Sequence, residues 1–169
     1  MYLSLFVHNT PPNNYCIFAT MNFTVATFNE LTNIQLYKIM SLRQKIFVVE
    51  QNCIYEDLDD LDQGSMHVMG FDNDKLTCYA RVLQGDAYND SYMHIGRVVV
   101  DMDYRSRQLG HELMEYCISL SIQRYPLLDI KISAQKHLEN FYNKQGFIAV
   151  GNMYLEDNIP HVAMIRLTK

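Results

Sequence analysis

Between residues 66 and 100, three strand-like runs follow one another: MHVMGF (66–71), LTCYARVL (76–83) and HIGRVVV (94–100). The first two are joined by DNDK and the last two by QGDAYNDS. A parallel return needs a crossover of about a dozen residues or more, so these connections dictate an antiparallel meander. Upstream, NFTVATF (22–28) alternates like a strand. IQLYKIMSLRQKIFVVE (34–50) then reads as a helix with Ile34, Tyr37, Leu42, Ile46 and Phe47 on its apolar face and Thr32 or Asn33 as its cap.

Downstream the period changes. Residues 109–123 bring Leu109, Leu113, Met114, Cys117, Leu120 and Ser121 near one helical face. LDIKISA (128–134) alternates about Lys131, HLENFYNKQ (137–145) is helical, and GFIAV (146–150) and HVAMIRL (161–167) are strands. The order is β-α-β-β-β-α-β-α-β-β. A meander followed by strand–helix–strand crossovers predicts an α/β (α+β) fold, one mixed sheet covered by helices.

The formal charge of −5, with RSR as the densest basic run, argues against a nucleic-acid partner. His67, His94, His111, His137 and His161 lack the spacing of a metal site, so no metal is expected. Cys16, Cys53, Cys78 and Cys117 form no CxxC pair and are expected to be buried thiols. Residues 1–20 carry neither a basic start nor a small-residue cleavage site, and their apolar run is too short to span a bilayer. They read as an extension of open status before a domain at 21–169. The expectation is a cytoplasmic protein without a membrane partner.

RSRQLGHELM (105–114) runs from a basic loop through one glycine into a helix. It is either an anion cradle at a helix N-terminus or a solvated basic turn. The acidic run EDLDDLD (56–62) reads first as a solvated loop, and second as a cation-attracting rim. It lacks the alternating ligands and central glycine of a calcium loop.

IGRVVV (95–100), RSRQLG (105–110), ISAQKHLENFYNKQGF (132–147) and YLEDNIPHVAM (154–164), taken in order, resemble the GCN5-related N-acetyltransferase (GNAT) superfamily. LRQKIFVVEQNCIYEDLDDLD (42–62) resembles its ElaA-like branch. The resemblance covers roughly Met21 to the end. It implies a mixed, mostly antiparallel sheet of six to seven strands, splayed in the middle and flanked by about four helices. It also implies acetyl-CoA as acyl donor and direct transfer to a small-molecule or peptide amine; a homodimer is left open.

By that resemblance, Arg105, Ser106, Arg107, Gln108, Leu109, Gly110 and His111 would hold the pyrophosphate, and the backbone of Val98, Val99 and Val100 would pair with the pantetheine arm. Gln108 departs from the glycine usual there. If the position requires positive φ, the loop is strained and affinity falls, which keeps open a CoA-binding module with little or no transferase activity. Tyr142 stands where the superfamily often places the general acid; the alternative is a packed core tyrosine. Asn140 would bond the cofactor arm or simply face solvent. For the base, the candidates are Glu50, Glu156 and His161, with a structural histidine as the alternative for the last. Glu50 and Glu156 would hold a cationic amine as readily as deprotonate it, and a water chain could take the proton instead. Arg43 would bind an acidic group of the substrate, or pair with Glu50 or a nearby aspartate.

Overall fold

The computed structural model describes residues 21–88 and 90–168. Residues 1–20, and with them Cys16, lie outside the described residues. The meander forms as its short connections require: β2 (Met66–Asp72), β3 (Lys75–Gln84) and β4 (Met93–Val100) pair antiparallel, with β1 (Phe23–Thr27) beside β2. β5 (Ile130–Gln135), β6 (Ile148–Glu156) and β7 (Ile159–Arg166) complete a seven-stranded sheet of order β1-β2-β3-β4-β5-β7-β6. Three helices flank it: α1 (Asn33–Arg43), which continues as π-helix over Gln44–Glu50, α2 (Leu109–Arg124) and α3 (Glu139–Asn143).

Only β4 and β5 run parallel, and they pair at two positions, Met93 with Ile130 and His94 with Lys131. Beyond His94 they diverge. From Ile95 to Val100, β4 has a pairing partner on its β3 side alone.

Strand alternation sorts side chains between the two faces. Val68, Cys78, Ala80, Ile130, Ile132 and Ala134 are buried in the core with α2, whose predicted face is buried as read. Met69, Tyr79 and Val99 pack beneath α1. On α1 the expected stripe needs correction. Ile34 and Tyr37 are 66% and 75% exposed, and the buried residues are Ile39, Leu42, Arg43 and Ile46. Thr32 is the cap, in a reciprocal box with Gln35.

The acidic run is not a solvated loop. Arg43, 1% exposed, reaches Asp57 and Asp62 at 2.8 Å. Arg81, equally buried, bonds Asp59 at 2.6 Å and Asp62 at 2.9 Å. Arg97 contributes further bonds to Asp57 and Asp59. Burial works to raise the Asp59 carboxyl, but Arg81 and Arg97 outweigh it and hold it down at about 2. A folded-state value below the unfolded one, ordinarily ~3.9, means stability that is complete above about pH 4 and lost as pH falls toward 2, roughly 2 kcal/mol from this group. Urea unfolding between pH 5 and 2 should show that loss, and Asp59→Asn should flatten this stretch of the profile.

Candidate active site

Two cavities meet at the gap between β4 and β5. The first, about 640 Å³, lies between the α2 N-terminus, β4 and α3. Val98, Val99 and Val100 line it along β4, as do Arg105, Ser106, Gln108, Leu109, Gly110 and His111. The amides from Ser106 to Gly110 have no hydrogen-bond acceptor among the described residues; pairing resumes at His111, which donates to the Gln108 carbonyl at 2.8 Å. Consecutive free amides opening a four-turn helix form an anion-binding concavity backed by the helix dipole. A Cβ at Gly110 would meet Phe141 at 3.6 Å and Val100 at 3.8 Å, ordinary van der Waals contact, so the glycine serves neither an unusual φ nor a close approach. The Gln145 side-chain amide donates to His111 Nδ1 at 2.7 Å and fixes the ring.

Gln108 caps α2 with φ 60°, and Ser106 has φ 65°. The left-handed conformation that glycine would supply freely is therefore imposed on a glutamine, at about 1–2 kcal/mol. Arg105 forks onto Glu50 at 2.6 and 3.0 Å and also donates to the Val100 carbonyl. Glu50 thus stands in the cradle wall and lines the first cavity rather than the second. Arg107 stacks over Tyr104 at 5.0 Å, and neither it nor Asn140, which is exposed on α3, lines either cavity. Arg43 lines neither, being committed to Asp57 and Asp62.

A β-bulge joins the two sites. Ala80 of β3 faces both Arg97 and Val98, and Arg97 has φ 51°. Its guanidinium is held by Asp57 and Asp59, so the acidic run stabilises the backbone turn that leaves Val98 lining both cavities.

The second cavity, about 700 Å³, continues past Val98 over β5, β7 and the β6–β7 hairpin. That hairpin turns on Asp157 and Asn158, both at positive φ, as a two-residue turn with its tight twist requires. A bulge between Val150 and Tyr154, with Gly151 at φ 75°, sets Tyr154 opposite His161. β6 is thereby longer than the GFIAV run and carries Glu156 to the cavity rim. His161 Nδ1 lies 2.8 Å from the Ile159 carbonyl. A carbonyl only accepts, so Nδ1 bears the hydrogen, and in the neutral ring the lone pair is on Nε2.

Tyr142 lines both cavities. It is 8% exposed, packs edge-on against Phe141 and Phe147, and its phenol is pushed up to about 12 by burial. The hydroxyl has no protein hydrogen-bond partner among the described residues and stays protonated at neutral pH.

Lys131, Ser133 and Gln135 also line the second cavity and were not singled out from sequence. A signal existed in the alternation of LDIKISA, where apolar Ile130, Ile132 and Ala134 leave the intervening polar residues on the opposite face. Among the described residues no group of three or more His, Cys, Asp and Glu is placed to hold a metal, and no helix is long and apolar enough to cross a membrane. Cys53, Cys78 and Cys117 are free thiols, the latter two buried.

A family model described as "Acetyltransferase (GNAT) domain" matches residues 37–168. The chain is 41% identical to Protein ElaA of Escherichia coli K12 over 140 residues, covering 82% of this chain and 91% of that protein. The crystal structure of Escherichia coli ElaA superposes with TM-score 0.82 at 38% identity, over 87% of this chain and 99% of that one. An acyl-CoA N-acyltransferase from Pseudomonas aeruginosa superposes with TM-score 0.81 at 36% identity, over 87% and 100%.

Proposed function

This chain belongs to the GNAT acetyltransferase family, and we propose that it transfers an acetyl group from acetyl-CoA directly to a small-molecule or peptide amine in a ternary complex. The observation that carries this reading is the meeting of two cavities at one splayed strand pair, with Val98 and Tyr142 lining both.

The first cavity fits the donor. Five free amides and the α2 dipole suit a pyrophosphate, with Arg105 as the nearest cationic side chain lining it. The partnerless side of β4 from Ile95 to Val100 suits an amide-bearing arm laid along it as an added strand. Bound there, acetyl-CoA would supply an activated thioester carbonyl. Tyr142 would direct its hydroxyl proton at the charge that develops as the thiolate sulfur departs. His161 Nε2 and the Glu156 carboxylate are acceptors for the amine's proton in the second cavity, which Glu56, Asp90 and Asp157 also line.

Gln108 favours one other reading, a CoA-binding module with weak turnover, because its left-handed backbone is paid for inside the cradle. Calorimetric titration with acetyl-CoA tests the donor site. Binding with a Kd of about 1 μM, roughly −8 kcal/mol, is expected, and Gly110→Trp should abolish it by filling the floor. Absence of binding to the folded wild-type protein would overturn the proposal.

A further inference from the structure

On the wall of the second cavity, three side chains from two strands form a continuous hydrogen-bonded line. Ser133 Oγ on β5 donates to Glu156 Oε2 at 2.7 Å and lies 2.6 Å from the Tyr154 hydroxyl, both on β6. The directions are fixed by valence. A carboxylate only accepts, so the single serine hydrogen points to Glu156, and Tyr154 must donate to Ser133. The phenol oxygen of Tyr154 therefore keeps its lone pairs for a donor in the cavity, and Glu156 ends the line at the exposed rim.

We infer that Tyr154, Ser133 and Glu156 are the proton relay that deprotonates the incoming ammonium before acetyl transfer. This rests on the transferase reading above. The step balances as three concerted hops. An ammonium N–H bond breaks as its proton joins Tyr154 oxygen, the Tyr154 proton passes to Ser133 oxygen, and the Ser133 proton passes to Glu156 Oε2. The products are a neutral amine with its lone pair free and a protonated Glu156, which returns the proton to water at the rim. Tyr154 and Ser133 each gain and lose one proton, so both are reset.

The surroundings suit this role. His161 of β7 stacks on Tyr154 with ring centroids 6.2 Å apart and walls one side of the phenol. Asp157 follows Glu156 in the hairpin turn, while Lys131 and Gln135 flank Ser133 on the same face of β5 and also line the cavity. Lys131 is engaged by Asp90 at 2.9 Å and is thereby drawn away from neutralising Glu156. The bulge at Gly151 is what lets residues from β5 and the far edge strand β6 meet across β7.

The test measures CoA release from acetyl-CoA, from pH 6 to 10, with n-butylamine, benzylamine and 1,4-diaminobutane as acceptor probes. Wild-type protein, Ser133→Ala, Ser133→Thr and Tyr154→Phe are compared, with acetyl-CoA affinity measured calorimetrically on each. Ser133→Ala and Tyr154→Phe should lower kcat/KM at pH 7 by about 10²-fold and recover much of it near pH 10, where a substantial fraction of the amine, ordinarily titrating at ~10.4, arrives neutral. Ser133→Thr keeps the hydroxyl and should remain within about 3-fold, and acetyl-CoA affinity should not move. A loss equal at every pH, or no loss, overturns the relay and leaves the transferase intact, with His161 Nε2 as base. Failure of the wild-type protein to acetylate any probe despite binding acetyl-CoA overturns the transferase reading, and the relay with it.

Discussion

Tyr142→Phe is expected to lower kcat by about 10²- to 10³-fold while changing acetyl-CoA affinity less than about 3-fold. The ring would stay where it is, edge-on to Phe141 and Phe147. The lost hydroxyl bonds no protein group among the described residues, so no partner is orphaned and stability should move by less than about 1 kcal/mol. The size of the kinetic effect comes from what the burial does to the phenol. With its titration pushed up to about 12, Tyr142 holds its proton more tightly than a thiol, ordinarily ~8.5. Full transfer to a free thiolate is therefore uphill, which refines the simple acid expected from sequence. Its role is to donate a strong hydrogen bond to charge that exists only in the transition state. Such donors are worth about 10²–10³ in kcat. The sign also sets the pH dependence: a raised value keeps the phenol protonated, so Tyr142 should cause no alkaline loss of activity below about pH 11. Stopped-flow turnover with acetyl-CoA and an acceptor amine checks both; an unchanged kcat would remove Tyr142 from the chemistry.

The parts of this design that were legible in the chain share one property, that neighbours in sequence decide them. Connection lengths fixed the meander, alternation fixed the faces of β5, and the spacing from Leu109 to Ser121 fixed the buried side of α2. α1 misled in its first turns, where Ile34 and Tyr37 are exposed, because its buried stripe includes Arg43, a charged residue that an apolar template passes over; Leu42 and Ile46 are buried as read. The acidic run misled for a different reason. Its cations come from α1, β3 and β4, so Asp59 and Arg81 are 22 residues apart and nothing local marks Asp59 as an ion-pair partner. Asn140 was left between two readings because α3 is only five residues long, too short for spacing to define a face; the side chain is exposed. The left-handed backbone of Gln108 and Arg97 is likewise set from outside, by the loop closure before α2 and by aspartates from a distant segment.

That distant segment ties stability to the site. Asp57 and Asp59 hold Arg97, Arg97 sits in the bulge, and the bulge leaves Val98 at the junction of the two cavities. Of the two readings of Arg43, pairing with nearby aspartates is the one the structure shows, and EDLDDLD, in place of a solvated loop, supplies those partners in one internal lattice that shapes β4 from beneath.

Arg43→Met should consequently destabilise the protein by about 3 kcal/mol or somewhat more, because removing one partner of a buried ion pair leaves the other charge behind. Methionine fills much of the volume, so the loss is electrostatic rather than a cavity. Asp62 retains Arg81, and Asp57 retains Arg97 and the Tyr55 hydroxyl at 3.0 Å, which places the cost at the lower end of the 3–5 kcal/mol range for such pairs. For a chain of this length that corresponds to a Tm lower by roughly 6–12 °C, measurable by calorimetry at pH 7. Kinetics separate this from a binding role. Below its lowered Tm, Arg43→Met should keep the acceptor KM within about 2-fold, since the guanidinium lines neither cavity. A substrate-binding arginine would give the opposite pair of results, a raised KM with Tm preserved, and that outcome would return Arg43 to the acceptor site.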